Sequence, residues 1–248
     1  MSLQKARVSL CQPSDGVVFV KGATKRMPVG LACIAASVVN TGHEVNIVDA
    51  SLHDLNTEET VNRLLANDPH VVGFTCTTPL YHRAADAIKL IKQLSPKIAV
   101  VMGGPHVSYL PQTSLKTSGA HFIAIGEGEE SVPAIVDCVL NNRDPSAIMS
   151  IAYNWNGYQG ATKTYLRRIA EKKGENKPGE KYAEPIDLNK APWPARELFE
   201  YDKYHDLSRG KKGSQTGAMF SRGCPGKCAF CGAADTLVRW RTIENVLA

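Results

Sequence analysis

Cys224, Cys228 and Cys231 stand in the run "SRGCPGKCAFCG", a CxxxCxxC spacing preceded by the strand-like "GAMF". Thiolates are soft ligands, and clustered cysteines select iron–sulfur clusters, zinc or copper(I). Structural zinc takes four ligands, commonly as two separated pairs. This chain has no second pair, and the nearest upstream histidine, His205, lies nineteen residues before Cys224. A 4Fe-4S cluster held by only three thiolates keeps one iron open to a small-molecule ligand. Three idle thiols so close together would be an oxidation liability. The spacing therefore predicts an open iron–sulfur site.

The chain around this trio has 248 residues, 43% hydrophobic and 21% charged, the composition of a globular protein. It has no apolar run of the length that spans a bilayer, and "MSLQKARVSLCQPSD" lacks the apolar stretch of a secretory signal. A cytoplasmic protein with reduced thiols is expected. The net charge of +5 arises largely in "KTYLRRIAEKKGENKPGEK" (163–181), where seven Lys/Arg face three Glu. With Tyr165 its only aromatic, that stretch is a poor base-stacking platform and reads as a solvated loop. Neither nucleic acid nor membrane is an expected partner. Cys11, Cys33, Cys76 and Cys138 are scattered through apolar patterns and read as small buried hydrophobes.

Positioning the trio falls to the elements upstream. "ARVSLCQ", "HEVNIVDA", "HVVGFTCTT", "KIAVVMGG" and "AHFIAIGEG" are five strand-like apolar runs. Helical patterns stand between or after them: "PVGLACIAASVVNTG" behind Pro28, "NTEETVNRLLAND", "PLYHRAADAIKLIKQLSP" and "EESVPAIVDCVLNN". Asn56 followed by Glu59 has the form of a capping box. Strands apolar through most of their length, alternating with helices, predict a doubly wound α/β domain with a five-stranded parallel sheet.

Such sheets bind ligands beyond the carboxyl ends of their strands. Four loops qualify: "QPSDG" with Pro13; Thr75, Thr77 and Thr78; Gly103, Gly104, Pro105 and His106; and Gly126, Glu127, Gly128 and Glu129. Periodicity then dissolves from Arg143 to about Gln215. "SIAYNWNG" looks like a strand and turn, a candidate hairpin with "KTYLRR", and "EPIDLNKAPWPAREL" reads as an extended, Pro-punctuated strap. The expected units are 1–142, an α/β domain; 143–214, a connector; and 215–248, the start of a further domain.

"CPGKCAFC", with Phe230 before its last cysteine, resembles the signature of the radical S-adenosylmethionine (SAM) superfamily. The resemblance implies that Cys224, Cys228 and Cys231 each ligate one iron of a 4Fe-4S cluster, and that SAM chelates the fourth. Reduced cluster would cleave SAM to methionine and a 5′-deoxyadenosyl radical that abstracts hydrogen from an unreactive carbon. "MPVGLACIAASVVNTGHEVNIVDA", "GGPHVSYLP" and "GEGEESV" resemble the cobalamin-binding lobe that precedes the barrel in one branch of that superfamily. "DLNKAPWPAREL" resembles the connector there. On that analogy the four loops just named line the corrin and its nucleotide tail.

Two departures stand beside the likeness. Methionine-synthase-type cobalamin domains carry DxHxxG after the first strand, whose histidine ligates cobalt. Here the loop is "CQPSDGVVFVKG", with Asp15 and no histidine. His53 and His106 remain as possible neighbours, each reading first as a solvated side chain. Second, only seventeen residues follow Cys231, whereas a (β/α) barrel takes about 200 or more. Those residues suggest one loop and part of one helix. The chain thus reads as the N-terminal part of a longer protein, not competent by itself.

The expectation is an N-terminal part of a cobalamin-dependent radical SAM enzyme that moves a methyl group to an unactivated carbon. A small-molecule substrate and an electron donor such as flavodoxin or ferredoxin are its implied partners. Two other readings stay open at this stage. One is a radical SAM enzyme whose lobe binds no cobalamin and serves as a docking or substrate platform; the other is a non-enzymatic, ligand-sensing α/β module with a structural metal knuckle.

Overall fold

The computed structural model describes residues 4–14, 25–162, 185–204, 217–231 and 236–247. The five apolar runs form parallel strands β1 (Arg7–Gln12), β2 (Glu44–Asp49), β3 (Val71–Thr75), β4 (Ala99–Gly103) and β5 (Phe122–Ala124). Their order is β2-β1-β3-β4-β5, so the direction of winding reverses between β1 and β3.

Helices cover both faces, which is why β3 and β4 carry almost no polar residue. Leu31, Ala35 and Val38 of α1 (Val29–Asn40) and Ile135 of α6 (Ser131–Leu140) pack with Val101 on one face. Val61 and Leu64 of α2 (Thr57–Leu65) and Ile88 and Ile91 of α3 (Tyr81–Leu94) pack with Val100 and Met102 on the other. Consecutive β4 residues thus serve opposite layers, as the strand period requires. The capping box forms: Asn56 Oδ1 accepts from Glu59 N–H at 2.9 Å, and Glu59 Oε2 accepts from Asn56 N–H at 2.9 Å.

The sheet is wider than the five strands expected. It has seven, because β6 (Ile151–Trp155) adds antiparallel to β5, and β7 (Tyr158–Ala161) pairs with β6. The hairpin partner is therefore "YQGA", not "KTYLRR", which lies outside the described residues. Asn156 and Gly157 make the turn with φ of 47° and 86°, the left-handed pair that two-residue hairpins need. Two short helices that the sequence pattern does not announce also stand between β4 and β5: α4 (Pro105–Tyr109) and α5 (Pro111–Ser118). Each opens on a proline at its first turn and shows little apolar periodicity, so only Gly119 in the left-handed region marks an end.

Of the strap, residues 185–204 are described, and they lie against α1 and β2. Ala195 N–H donates to Ala32 O at 3.1 Å. Buried Tyr204 donates its hydroxyl to Asp49 Oδ2 at 2.8 Å, and His53 Nε2 lies 2.5 Å from Glu200 Oε1. Burial raises the Asp49 carboxyl above its ordinary range, while the Leu52 N–H and the Tyr204 hydroxyl oppose that rise.

The cysteine run follows as β8 (Ser221–Cys224), antiparallel to β9 (Thr236–Trp240), and then α7 (Ile243–Leu247). The residues after Cys231 therefore supply a strand as well as a helix. "TLVRW" alternates short of any turn signal, enough for a strand once β8 offers an edge. Among the described residues no helix is long and apolar enough to cross a membrane.

Candidate cobalamin edge and cysteine hairpin

Doubly wound sheets bind ligands where the strand order reverses, here at the carboxyl ends of β1 and β3, where Pro13 is buried, Thr75 half-buried, and Thr77 and Thr78 exposed. Cys76 ties this edge to the next loop. Its N–H donates to Gly103 O at 2.8 Å, and its carbonyl accepts from His106 N–H at 3.2 Å. Gly104 makes that approach possible. It holds φ at +99°, and a Cβ there would lie 2.7 Å from the Cys76 carbonyl oxygen, so an L side chain is excluded twice over.

His106 Nδ1 sits 3.1 Å from Thr78 Oγ1, and its ring lies 4.5 Å from that of Tyr81. Ser108 closes the arrangement. Its buried hydroxyl donates to Gly104 O and accepts from Gly126 N–H, both at 2.8 Å. Loops after β3, β4 and β5 are thus one hydrogen-bonded unit. Ser108 carried no signal in the sequence, because its role depends on two strands being neighbours. Of the candidates, Pro105 is exposed and Gly103, Gly104, His106 and Gly126 are half-buried along this edge.

The rest of the fourth loop turns elsewhere. Gly128 is buried, and a Cβ there would meet Ile34 Cδ1 at 2.9 Å. Glu127 and Glu129 meet arginines of the cysteine hairpin. Glu127 Oε2 accepts from Arg239 Nη1 at 3.0 Å, and Arg239 Nη2 pairs with its other oxygen. Arg222 Nη2 pairs with Glu129 Oε1, while its Nη1 stands 3.5 Å from Glu127 Oε1. The Glu129 side chain is only 4% exposed. Burial alone would lower the pKa of Arg222, but its hydrogen bond to Glu129 and the two nearby carboxylates raise it. Neither arginine stood out in the sequence, since an arginine beside a cysteine motif reads as an ordinary strand residue.

The same β8–β9 pair carries the thiols. Cys224 N–H donates to Thr236 Oγ1 at 2.9 Å, and Cys231 N–H donates to Cys228 O at 3.1 Å. The sulfurs of Cys224 and Cys228 lie 3.3 and 3.8 Å from where a Cβ on Gly226 would sit, so Gly226 leaves them room on a shared side. Among the described residues no three His, Cys, Asp or Glu side chains form a ready metal cage. As a donor set the trio fits an iron–sulfur cluster: three soft ligands, all free, with Cys228 exposed and the others half-buried. Phe230 is 92% exposed beside them. The other four cysteines are buried, as expected. Burial pushes the Cys76 thiol up to about 12, which leaves it an inert packing group.

Residues 17–136 match the family model described as the B12 binding domain. An uncharacterized methyltransferase of Pyrococcus horikoshii is 30% identical over 95% of this chain and 47% of its own length. Cytidylyl-2-hydroxyethylphosphonate methyltransferase of Streptomyces wedmorensis is 24% identical over 89% of this chain and 47% of its own. The chain spans less than half the length of the curated relatives it matches.

Among solved structures, the radical SAM methyltransferase TsrM from Kitasatospora setae, with cobalamin and a 4Fe-4S cluster bound, superposes with a TM-score of 0.67. Identity is 16%, over 98% of this chain and 46% of that one. The cobalamin-dependent SAM radical enzyme OxsB, with aqua-cobalamin and SAM bound, gives 0.71 at 14% identity, over 98% and 31%. Most of the α/β lobe is thus similar to B12 binding domains. With the cysteine hairpin behind it, the chain has the fold of these cobalamin-dependent radical SAM enzymes over 98% of its length and is similar in sequence to methyltransferases.

Proposed function

We propose that this chain contributes the cobalamin lobe and the cluster loop of a cytoplasmic radical SAM methylase acting on an unactivated carbon of a small molecule. Cys224, Cys228 and Cys231 are the proposed ligands of a 4Fe-4S cluster, with Phe230 beside the SAM that completes it. A flavodoxin or ferredoxin is the proposed electron donor. Cobalamin would rest on the edge formed by Pro13, Thr75, Thr77, Thr78 and Gly103–His106. Together the bound groups supply one-electron activation and a transferable methyl group. The residues present do the rest. Cys76 and Gly104 hold two loops in contact, Ser108 adds the third, and the Thr77, Thr78 and His106 side chains offer polar atoms to a ligand on that edge.

The observation that carries this reading is spatial: the three-thiol hairpin is docked on the loop following β5, at the ligand-binding end of a B12-type sheet. Methyl transfer rather than ring formation is favoured by the methyltransferases among the relatives, although anaerobic magnesium-protoporphyrin IX monomethyl ester cyclases of Synechocystis and Rubrivivax gelatinosus also match.

Anaerobic titration with hydroxocobalamin tests it. Saturable binding with a base-off spectrum is expected, since no histidine stands in "CQPSDGVVFVKG" to take the lower cobalt position. Gly104→Ala should weaken that binding by about tenfold or more, because the Cβ costs roughly 1–3 kcal/mol of strain and drives the loop off Cys76. No binding to the folded wild-type chain overturns the cobalamin reading. Iron with acid-labile sulfide after anaerobic reconstitution is the matching test of the three thiols.

A further inference from the structure

We propose that Glu127 and Glu129 are positioning residues that dock the cysteine hairpin onto the B12-type lobe, with Arg222 and Arg239 as their counterparts, rather than residues that contact a corrin. The loop after β5 sends two carboxylates toward β8 and β9, and each is met by a guanidinium. Arg239 grips both oxygens of Glu127. Arg222 forks, one nitrogen on Glu129 and the other 3.5 Å from Glu127. All four side chains are at most 17% exposed, so water supplies little substitute for a lost partner.

The network is continuous with the strap. Arg239 Nη1 also donates to Ile186 O at 2.7 Å, and Ile186 N–H donates to Glu127 Oε2 at 3.3 Å. One carboxylate therefore holds a strand of the hairpin and a residue of the connector at once. Arg222 stands two residues before Cys224, so the fork fixes the strand from which the cluster loop departs.

Apolar packing offers the hairpin little alternative anchorage. Leu237 and Trp240 of β9 are each 68% exposed. A planar guanidinium presents a rigid fork of donors to two carboxylates, whereas an ammonium is a compact point charge on a flexible stem, so arginine suits position 222. The inference concerns protein–protein contact within the chain and holds whether or not cobalamin binds.

Hydrogen–deuterium exchange on the full chain, without cofactors, reads the docking directly. Glu129→Gln and Glu127→Gln should each speed exchange of amides in 219–224 and 236–240 by about tenfold or more, as a severed buried pair loosens a local unit. Exchange in β3 and β4 should stay unchanged, which certifies that the lobe is folded. Arg222→Lys, a change confined to the hairpin, should fall between wild type and Arg222→Met, because charge survives while the fork is lost.

Hairpin exchange within about twofold of wild type in both Gln variants and in Arg222→Met overturns the proposal. Hydroxocobalamin titration of the same variants separates it from the cobalamin reading. Weakened corrin binding with unchanged hairpin protection would return the two glutamates to the corrin. Lost hairpin protection supports docking whatever the corrin affinity does.

Discussion

The lobe and the cysteine hairpin are held by different forces. In the lobe, two layers of helix bury nearly every apolar residue of β3, β4 and β5, with Phe122 at 0% exposure. In the hairpin, large apolar side chains face outward, and attachment rests on ion pairs, on Arg241 lying 4.1 Å over the Trp193 ring, and on Arg241 Nη2 donating to Ala191 O at 3.1 Å. A buried core gives stability that is insensitive to salt, whereas a charged seam gives direction and register.

Cutting into the core is the most severe way to probe the contrast. Phe122→Ala should cost about 3–5 kcal/mol of lobe stability, seen as a lower urea midpoint with hairpin and lobe signals lost together. Hairpin signals that persist after the lobe unfolds would break the comparison, since the hairpin would then stand without its dock.

A second probe uses acid. Burial, with nearby Lys92 adding to it, pushes the His121 imidazole down to about 4 from 6.5, and its Nδ1 accepts the Val100 N–H at 3.0 Å. The folded lobe then binds fewer protons than the unfolded chain between those values. The stability linked to His121 is therefore full above pH 6.5 and lost as pH falls toward 4. His121→Asn should remove about 1–2 kcal/mol of that acid loss, after allowance for its partial exposure. Urea midpoints of both proteins at pH 7 and pH 4 measure the difference; equal acid losses would remove His121 as the lobe's proton switch.

The mildest change falls on the hairpin. Phe230→Ser should shift lobe stability by less than about 0.5 kcal/mol, because its ring packs on nothing in the lobe. A drop as large as that of a core substitution, read from the same urea curves, would mean that the hairpin shares the core.

Much of this was legible in the residues themselves. Runs such as "HVVGFT" and "KIAVVM" announce strands covered on both faces, and the Asn56–Glu59 box announces a helix start, because each depends on neighbours within a few positions. The CxxxCxxC spacing likewise declared its donor set. What escaped depends on strand adjacency. "YQGA" is too short and polar to signal a strand until Asn156–Gly157 folds it onto β6. The proline-started helices α4 and α5 lack the periodicity that would mark them.

The sequence by itself determined the α/β alternation, the loops at the carboxyl ends of the strands and the three thiols, since residue type and short-range spacing suffice for all of them. Only the tertiary structure decided the strand order that places Ser108 between two loops, and the meeting of Glu127 and Glu129 with Arg239 and Arg222 across roughly a hundred residues of chain. Partners so distant leave no local pattern, and their charges become a contact only once packing has removed the water between them.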